Sequence, residues 1–275
     1  MILVTGATGN VGSELVAELL ANGRRVRTLT RRDRNRVPPE AEGFEGDLNQ
    51  PATLRVALNG VRRVFLLGGS RDMPGLLEEI QRAGVEHVVL LSSRSVIGGD
   101  ESNAIVRMWL VSEAAVKSSS VPWTILRPSG FMSNALRWLP QLQSADTVRA
   151  AFAEVPIAAI DPFDIARVAA IALTTDEHTY RSYVLTGPEA ILPADQVGIL
   201  GKVLGRNLRF EPMSDAEARL DLGRLFSPDF VDAMFSFYAR GDFDDSKVLE
   251  AVREITGTPP RSFEQWARVH MSAFH

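Results

Sequence analysis

The sequence predicts an α/β fold, a doubly wound parallel sheet joined to a small, mostly helical C-terminal lobe, and three observations carry that prediction. Short runs that are apolar at almost every position alternate with helical patterns through the first half of the chain. Strands without a polar face are buried on both sides, as in a parallel sheet covered by helices. The first such run ends in a glycine-rich turn that opens directly into a helix. After Pro128 the regular alternation weakens.

Taken in order, Ile2-Leu3-Val4-Thr5 is the first strand. Residues 13–22 follow as an amphipathic helix with Leu15, Val16, Leu19 and Leu20 on one face, and residues 25–30 form the second strand. Further strands are Val64-Phe65-Leu66-Leu67, Val88-Val89-Leu90-Leu91 and Trp123-Thr124-Ile125-Leu126, with helices at 51–59, 73–83 and 102–118 between them. Right-handed crossovers make such a series a doubly wound sheet. Residues 131–142 leave the pattern, a strand-and-helix unit spans 156–175, and a strand at 183–186 completes the sheet. Helical patterns near 194–204, 215–225, 229–238 and 245–255 build the lobe, placed over the C-terminal edge of the sheet, where ligands bind in open α/β folds. The reading is one domain, 1–275, with a core of 1–130 and 155–187 interleaved with a substrate lobe of 131–154 and 188–275.

Composition narrows the functional classes. A chain of 275 residues, 45% hydrophobic, can bury a large core. Without cysteine there is no disulfide, thiol nucleophile or thiolate metal site. The formal charge of −4 argues against a nucleic-acid partner, and the four histidines, His87, His178, His270 and His275, show no ligand spacing, so no metal is expected. The first strand begins at Ile2, and no apolar run is long enough to cross a bilayer, so the expectation is a cytoplasmic protein with no membrane partner. The 102–118 helix is apolar on more than one side through Ile105, Val106, Met108, Leu110 and Val111, which leaves monomer and homodimer both open.

The turn Gly6-Ala7-Thr8-Gly9-Asn10-Val11-Gly12 carries the strongest functional signal. A strand that stops at such a turn and starts a helix offers unpaired backbone N–H groups and a positive dipole end to an anion. One glycine makes the turn, one admits phosphate close to the backbone, and one allows close packing of helix on strand. The spacing is G-x-x-G-x-x-G, and with strand, turn, helix and strand in sequence it reads as a Rossmann-type site for a dinucleotide pyrophosphate. An NAD site places a carboxylate after the second strand to hold the ribose hydroxyls. Here Thr30-Arg31-Arg32 stands there, and guanidinium groups suit a 2′-phosphate, so NADP(H) is preferred over NAD(H). The outer members of the arginine run, Arg24, Arg25, Arg27, Arg34 and Arg36, read as a solvated basic face. Asp47, after the third strand, is either an acceptor for the adenine amino group or a turn carboxylate.

Ordered along the chain, Val4-Thr5-Gly6-Ala7-Thr8-Gly9, Gly46-Asp47-Leu48, Val64-Phe65-Leu66-Leu67, Leu91-Ser92-Ser93, Trp123-Thr124-Ile125-Leu126-Arg127-Pro128, Phe131-Met132-Ser133-Asn134, Asp164-Ile165-Ala166, Leu185-Thr186-Gly187-Pro188 and the closing Thr256-Gly257-Thr258-Pro259-Pro260-Arg261-Ser262-Phe263 resemble the NmrA-like atypical short-chain dehydrogenases. That family includes NADPH-dependent quinone reductases, a triphenylmethane dye reductase and dinucleotide-sensing regulators. The resemblance implies that Gly6, Thr8, Gly9, Asn10, Val11 and Gly12 hold the pyrophosphate. It further implies that Leu67, Gly68, Gly69 and Ser92 line the ribose and nicotinamide channel and that Phe131 lies near the nicotinamide; Asp47 and Leu48, after the third strand, are further candidate cofactor contacts. Members often have proline or serine after the fourth strand, so Gly68-Gly69-Ser70 implies a roomier pocket floor.

Ordinary short-chain dehydrogenases use Tyr-x-x-x-Lys on the helix after the fifth strand, where helical spacing puts phenol and ammonium on one face. This chain has Trp109 and Glu113 there. Indole cannot exchange a proton usefully near neutral pH. A positioned donor is worth about 10² to 10⁴ in rate, so the pattern points to acceptors that take hydride first and collect a proton from water, such as quinones, enones and delocalised cations. Candidate catalytic groups are Ser92, Trp109 and Glu113, of which Glu113 either orients a water or serves as a structural carboxylate, and Lys117 reads as its exposed helix pair. Arg94 either binds an anionic substrate group or is a solvated loop arginine. Trp109, Phe131, Met132, Trp138, Phe230 and Met234 are candidate substrate contacts, although the stripe Phe226, Phe230, Met234, Phe237, Tyr238 also fits lobe core. The leading reading is NADPH-dependent reduction of a small conjugated or aromatic molecule. The alternatives are an NADP(H)-sensing regulator and a biosynthetic cyclase or isomerase.

Overall fold

The computed structural model describes residues 1–31, 37–97 and 100–274. Seven parallel strands form the main sheet in the order β3-β2-β1-β4-β5-β6-β8: β1 (Ile2–Thr5), β2 (Val26–Thr30), β3 (Glu42–Glu45), β4 (Arg63–Leu67), β5 (His87–Leu91), β6 (Trp123–Pro128) and β8 (Arg181–Leu185). The strand order reverses between β1 and β4, which creates the crevice at their C-terminal ends. Alternate residues of the central strands feed two separate cores. Ile2, Val4, Phe65, Val89, Leu91 and Leu126 pack against α1 (Asn10–Ala21) and α6 (Pro162–Thr174), whereas Leu3, Val64, Leu66, Val88, Leu90 and Ile125 pack against α2 (Arg55–Leu58), α3 (Met73–Arg82) and α4 (Ala104–Ser118). Both faces are buried, which is why these strands are apolar at most positions.

The edges look different because each has only one neighbour. Glu42 and Glu45 of β3 are exposed, and Glu42 takes both Arg25 and Arg27. Arg181 and Ser182 at the opposite edge are exposed as well. Charged edge strands discourage pairing with another chain.

The later elements are α5 (Leu139–Ser144), β7 (Thr147–Ala150), α7 (Pro193–Leu204), β9 (Arg209–Pro212), α8 (Asp215–Gly223), α9 (Pro228–Tyr238), α10 (Ala251–Thr256) and α11 (Phe263–Val269). Parallel β7 and β9 pair with each other in a small second sheet. One apolar cluster joins Met132, Ala135, Leu142 and Val148 to Val197, Leu200, Phe263, Trp266 and Phe274, and a smaller one joins α8 to α9.

Three expectations need adjustment. The 51–59 helix is split into a 3-10 turn, Pro51–Leu54, and the short α2. The 156–175 unit supplies α6 but no strand, because the backbone between Ile157 and Ile160 is taken by bridges to Ile191 and Phe131 and by bonds to Gly130, Asp245 and Gly187. The helix foreseen at 245–255 is only α10, since Asp245 is held elsewhere. No helix among the described residues is long and apolar enough to cross a membrane.

Candidate cofactor and active site

At the C-terminal edge of the sheet, Thr5 ties β1 to β4. Its buried hydroxyl donates to the Phe65 carbonyl at 3.0 Å and accepts from the Leu67 N–H at 2.9 Å. The chain then turns through Gly6 at φ +62°, a conformation that costs glycine nothing and leaves no room for a Cβ beside Leu67. Gly9 donates its N–H to the Gly6 carbonyl at 2.9 Å and caps α1 with no side-chain bond. A Cβ on Gly12 would overlap the Gly6 carbonyl oxygen, so α1 packs this close only with glycine there. Thr8 is half-buried, Asn10 exposed and Val11 buried. The first turn of α1 has no side-chain cap and no acidic residue, so its N–H groups meet neither a competing acceptor nor a repelling charge. This cradle fits a pyrophosphate.

Beyond β2, the Thr30 hydroxyl is buried with no hydrogen-bond partner among the described residues, and Arg31 is exposed at the strand's end. Arg32 lies outside the described residues. Asp47 closes a turn: its carboxylate accepts from the Asn49 N–H at 2.9 Å and from Gln50 Nε2 at 3.4 Å. The Leu48 carbonyl accepts from Ser70 Oγ at 2.7 Å, which joins the loops after β3 and β4.

Leu67 and Phe131, both half-buried, pack on the same core cluster at the sheet edge. The room that Gly68 and Gly69 create is taken by α4. A Cβ on Gly68 would lie 2.8 Å from the Trp109 ring, and one on Gly69 would lie 3.2 Å from Met108 Sδ. The Gly69 N–H donates to Ser112 Oγ at 2.9 Å. The expected roomy floor is therefore covered by an indole and a thioether.

Glu113 is almost wholly buried and all its acceptor capacity is used. Ser92 Oγ donates to Oε1 at 2.8 Å and Arg127 Nε to Oε1 at 2.8 Å, while Arg127 Nη2 and Lys117 Nζ reach Oε2 at 2.6 and 2.9 Å. Burial alone would raise the Glu113 pKa, but these bonds from Arg127, Lys117 and Ser92 outweigh it and hold the carboxyl below its usual value. Glu113 is thus an ionised clamp between α4, β5 and β6, and the Ser92 hydroxyl proton is committed to it.

Arg94 is buried rather than solvated, donating to Asp245 Oδ1 at 3.3 Å and to the Lys247 carbonyl at 2.9 Å. Asp245 also accepts from Ser129 Oγ at 2.7 Å and the Gly130 N–H at 3.1 Å. Met132 is in the lobe core and Trp138 packs against it. Met234 packs between α8 and α9, and Phe230 is half-buried on α9. Helix α9 is fastened to α4 by Asn103 Nδ2, which donates to the Ala233 carbonyl at 3.1 Å. Arg127 and Asp245 were missed as site-building residues because their partners lie 14 and 115 to 151 positions away.

Fold and cradle together define a dinucleotide-binding protein. Comparison with known proteins agrees: the model of an NAD(P)H-binding family matches residues 6–176, and the chain belongs to that family, as the NmrA-like resemblance implies. A (4-alkanoyl-5-oxo-2,5-dihydrofuran-3-yl)methyl phosphate reductase of Streptomyces griseus is 41% identical, over 100% of this chain and 99% of its own. An NAD(P)H azoreductase of Xenophilus azovorans is 31% identical, again over 100% and 99%. The structure of an Escherichia coli NADPH-dependent quinone oxidoreductase complexed with NADPH superposes with a TM-score of 0.80 at 20% identity, covering 99% of this chain and 100% of that one. The family is one of NAD(P)H-dependent reductases.

The clamp makes a pH-dependent prediction. A depressed Glu113 pKa stabilises the fold above the unfolded value, 4.5, and that contribution is lost as pH falls through the folded value. Glu113→Gln should therefore cost about 1–3 kcal/mol in urea denaturation at pH 7, and the gap from wild type should narrow steadily below pH 4.5. A gap independent of pH would contradict the clamp.

Proposed function

We propose that this protein reduces a conjugated carbon–carbon double bond in a small molecule, using NADPH, and that the acceptor is an acylated unsaturated lactone. The observation that carries the reading is that, among the described residues, no phenol or protonated carboxyl stands where α4 meets the sheet edge. Trp109 covers Gly68 there, and the buried Glu113 is already ionised and paired. Tyr238 on α9 is no substitute acid, because burial and then the Asp245 charge push its phenol far above the usual range. A simple ketone would become an alkoxide with no donor to quench it. The relative from Streptomyces is named for an acceptor of the other kind: its ring alkene is conjugated to both a ketone and a lactone carbonyl. Addition at C3 of that ring leaves an enolate spread over both carbonyls, which water can protonate afterwards.

When bound, the cofactor supplies the hydride. The chain's residues do the rest. The Gly6 to Gly12 turn and the first N–H groups of α1 hold the pyrophosphate, and Arg31 meets the 2′-phosphate. Leu67 and Phe131 shape the edge against which the acceptor lies, and Trp109, held over Gly68, gives a flat apolar surface that excludes water. Residues 1–130 and 155–187 act as the dinucleotide core, with 131–154 and 188–275 closing over it.

The test is turnover of purified protein with NADPH, followed by loss of its absorbance. Acylated butenolides should be reduced at least about 100-fold faster than an unconjugated ketone of the same size. Equal rates would overturn the reading, and tight NADPH binding with no oxidation on butenolides, quinones or azo dyes would replace it with a sensing role. Separately, Arg31→Asp should weaken NADPH by about 10- to 100-fold and NADH by less than about threefold. Equal losses would refute the 2′-phosphate assignment.

A further inference from the structure

The segment between α9 and α10, residues 239–250, crosses the C-terminal ends of three adjacent strands and is fastened at each. Beyond β5, Arg94 Nη1 donates to Asp245 Oδ1 at 3.3 Å and to the Lys247 carbonyl at 2.9 Å. Beyond β6, Ser129 Oγ donates to Asp245 Oδ1 at 2.7 Å, and the Gly130 N–H donates to Oδ2 at 3.1 Å. Beyond β8, Thr186 Oγ1 accepts from the Leu249 N–H at 3.0 Å. Toward α9 the same segment folds back on the helix: Ser236 Oγ donates to Asp242 Oδ2 at 2.6 Å, and the Phe243 and Phe237 rings pack 5.1 Å apart. Asp245 is therefore the knot at which this strap meets the ends of β5 and β6. It and Arg94 are 3% and 6% exposed. A charge pair buried this deeply adds little net stability, because desolvation offsets the attraction, yet neither partner can leave without stranding the other's charge. What the knot fixes is the Gly130 peptide. Ile160 already donates its N–H to the Gly130 carbonyl at 2.9 Å and bridges to Phe131, so Asp245 takes the remaining polar group, the Gly130 N–H.

We propose that Asp245 is a positioning residue for the nicotinamide end of the cofactor: by tying the strap to the Gly130–Phe131 backbone it sets the edge against which that ring rests. The proposal rests on the dinucleotide reading. A dinucleotide lies across the point where the strand order reverses, with one mononucleotide over each half of the sheet, and its adenosine belongs to the half that contains β2. The nicotinamide half then falls over the ends of β4, β5 and β6, and the knot stands at the last two of these. Phe131 faces the same region, because it packs on the apolar cluster shared with Leu67, and Leu67 closes directly on Gly6 of the cofactor turn. Asp245 acts through Gly130 and Phe131, which makes its role distinct from that of the glycine turn: the turn would hold the phosphates, and the knot would hold the far ring. Small displacements of a reacting ring are costly, so an edge fixed on both sides favours transfer.

Calorimetry tests this by comparing NADP+ with 2′-phospho-ADP-ribose, the same molecule without its nicotinamide, in wild type, Asp245→Asn and Ser129→Ala. Thermal midpoints are measured alongside as a check on the fold. Ser129→Ala removes one donor and keeps the ion pair, so it probes the same knot even where Asp245→Asn fails to fold. Asp245→Asn should weaken NADP+ about 10-fold and the fragment less than about twofold, and Ser129→Ala should weaken NADP+ alone by about threefold. A knot that only held the fold together would weaken both ligands alike. Equal losses for the two ligands, or no loss in either variant, overturn the positioning role and leave the dinucleotide reading in place. Failure of wild type to bind either ligand ends both. On any acceptor that wild type reduces, kcat should fall about 10- to 100-fold in Asp245→Asn at saturating NADPH, and an unchanged kcat would also overturn the role. If wild type reduces no acceptor but the loss is confined to NADP+, the positioning role stands and the reductase reading falls.

Discussion

The contact between Gly12 and the Gly6 carbonyl oxygen sets the position of everything around the proposed cofactor site. Any larger residue at Gly12 would push the start of α1 away from the end of β1. With glycine there, the helix axis is aimed at the crevice where the strand order reverses, and its first N–H groups face outward without a cap. Thr5 holds the floor of the same junction by bonding both Phe65 and Leu67. The turn gives up side-chain capping, a stabilising feature of most helices, in exchange for an opening that an anion can fill.

A second constraint operates on the far side of the crevice. In ordinary short-chain dehydrogenases a phenol and an ammonium share a face of the helix after β5; here that face carries Trp109 and Glu113. The indole lies over Gly68, and the carboxylate is spent on Arg127, Lys117 and Ser92. These are compensating changes. A buried carboxylate is tolerated because three donors satisfy it, and a large aromatic ring is tolerated because glycine replaces a side chain at the end of β4. The outcome is a wall in which an indole covers Gly68 and a charged cluster ties α4 to β6 behind it.

The central strands and the glycine turn were legible in the sequence because burial on both faces and close backbone approach leave a strong mark on residue choice. Strands β7 and β9 were not legible. Thr147-Val148-Arg149-Ala150 and Arg209-Phe210-Glu211-Pro212 pair only with each other, and of the eight only Val148 is fully buried. The region before α10 was read as helix because its composition allows one, but Asp245 is fixed by Arg94 and Ser129 from distant strands' ends. At the site, the identity of Glu113 could be read from spacing along α4, whereas its partner Arg127 comes from β6, a relation visible only after the sheet is assembled. Arg94 illustrates the same limit: a loop arginine in sequence, it is a buried ion-pair member in the fold. Met132, which follows β6, lies in the lobe core, and Trp138 packs against it, a placement that depends on the lobe's assembly rather than on local sequence.

The central claim is that the β1–α1 junction holds the dinucleotide through backbone N–H groups. Amide resonances of the assigned, isotope-labelled protein, followed during titration with NADPH, test it most directly. The account predicts large saturable shifts for Gly9, Asn10, Val11 and Gly12, with the amides of β7 and β9 unmoved. Saturable binding that leaves those four amides in place, or no binding at all, would contradict it.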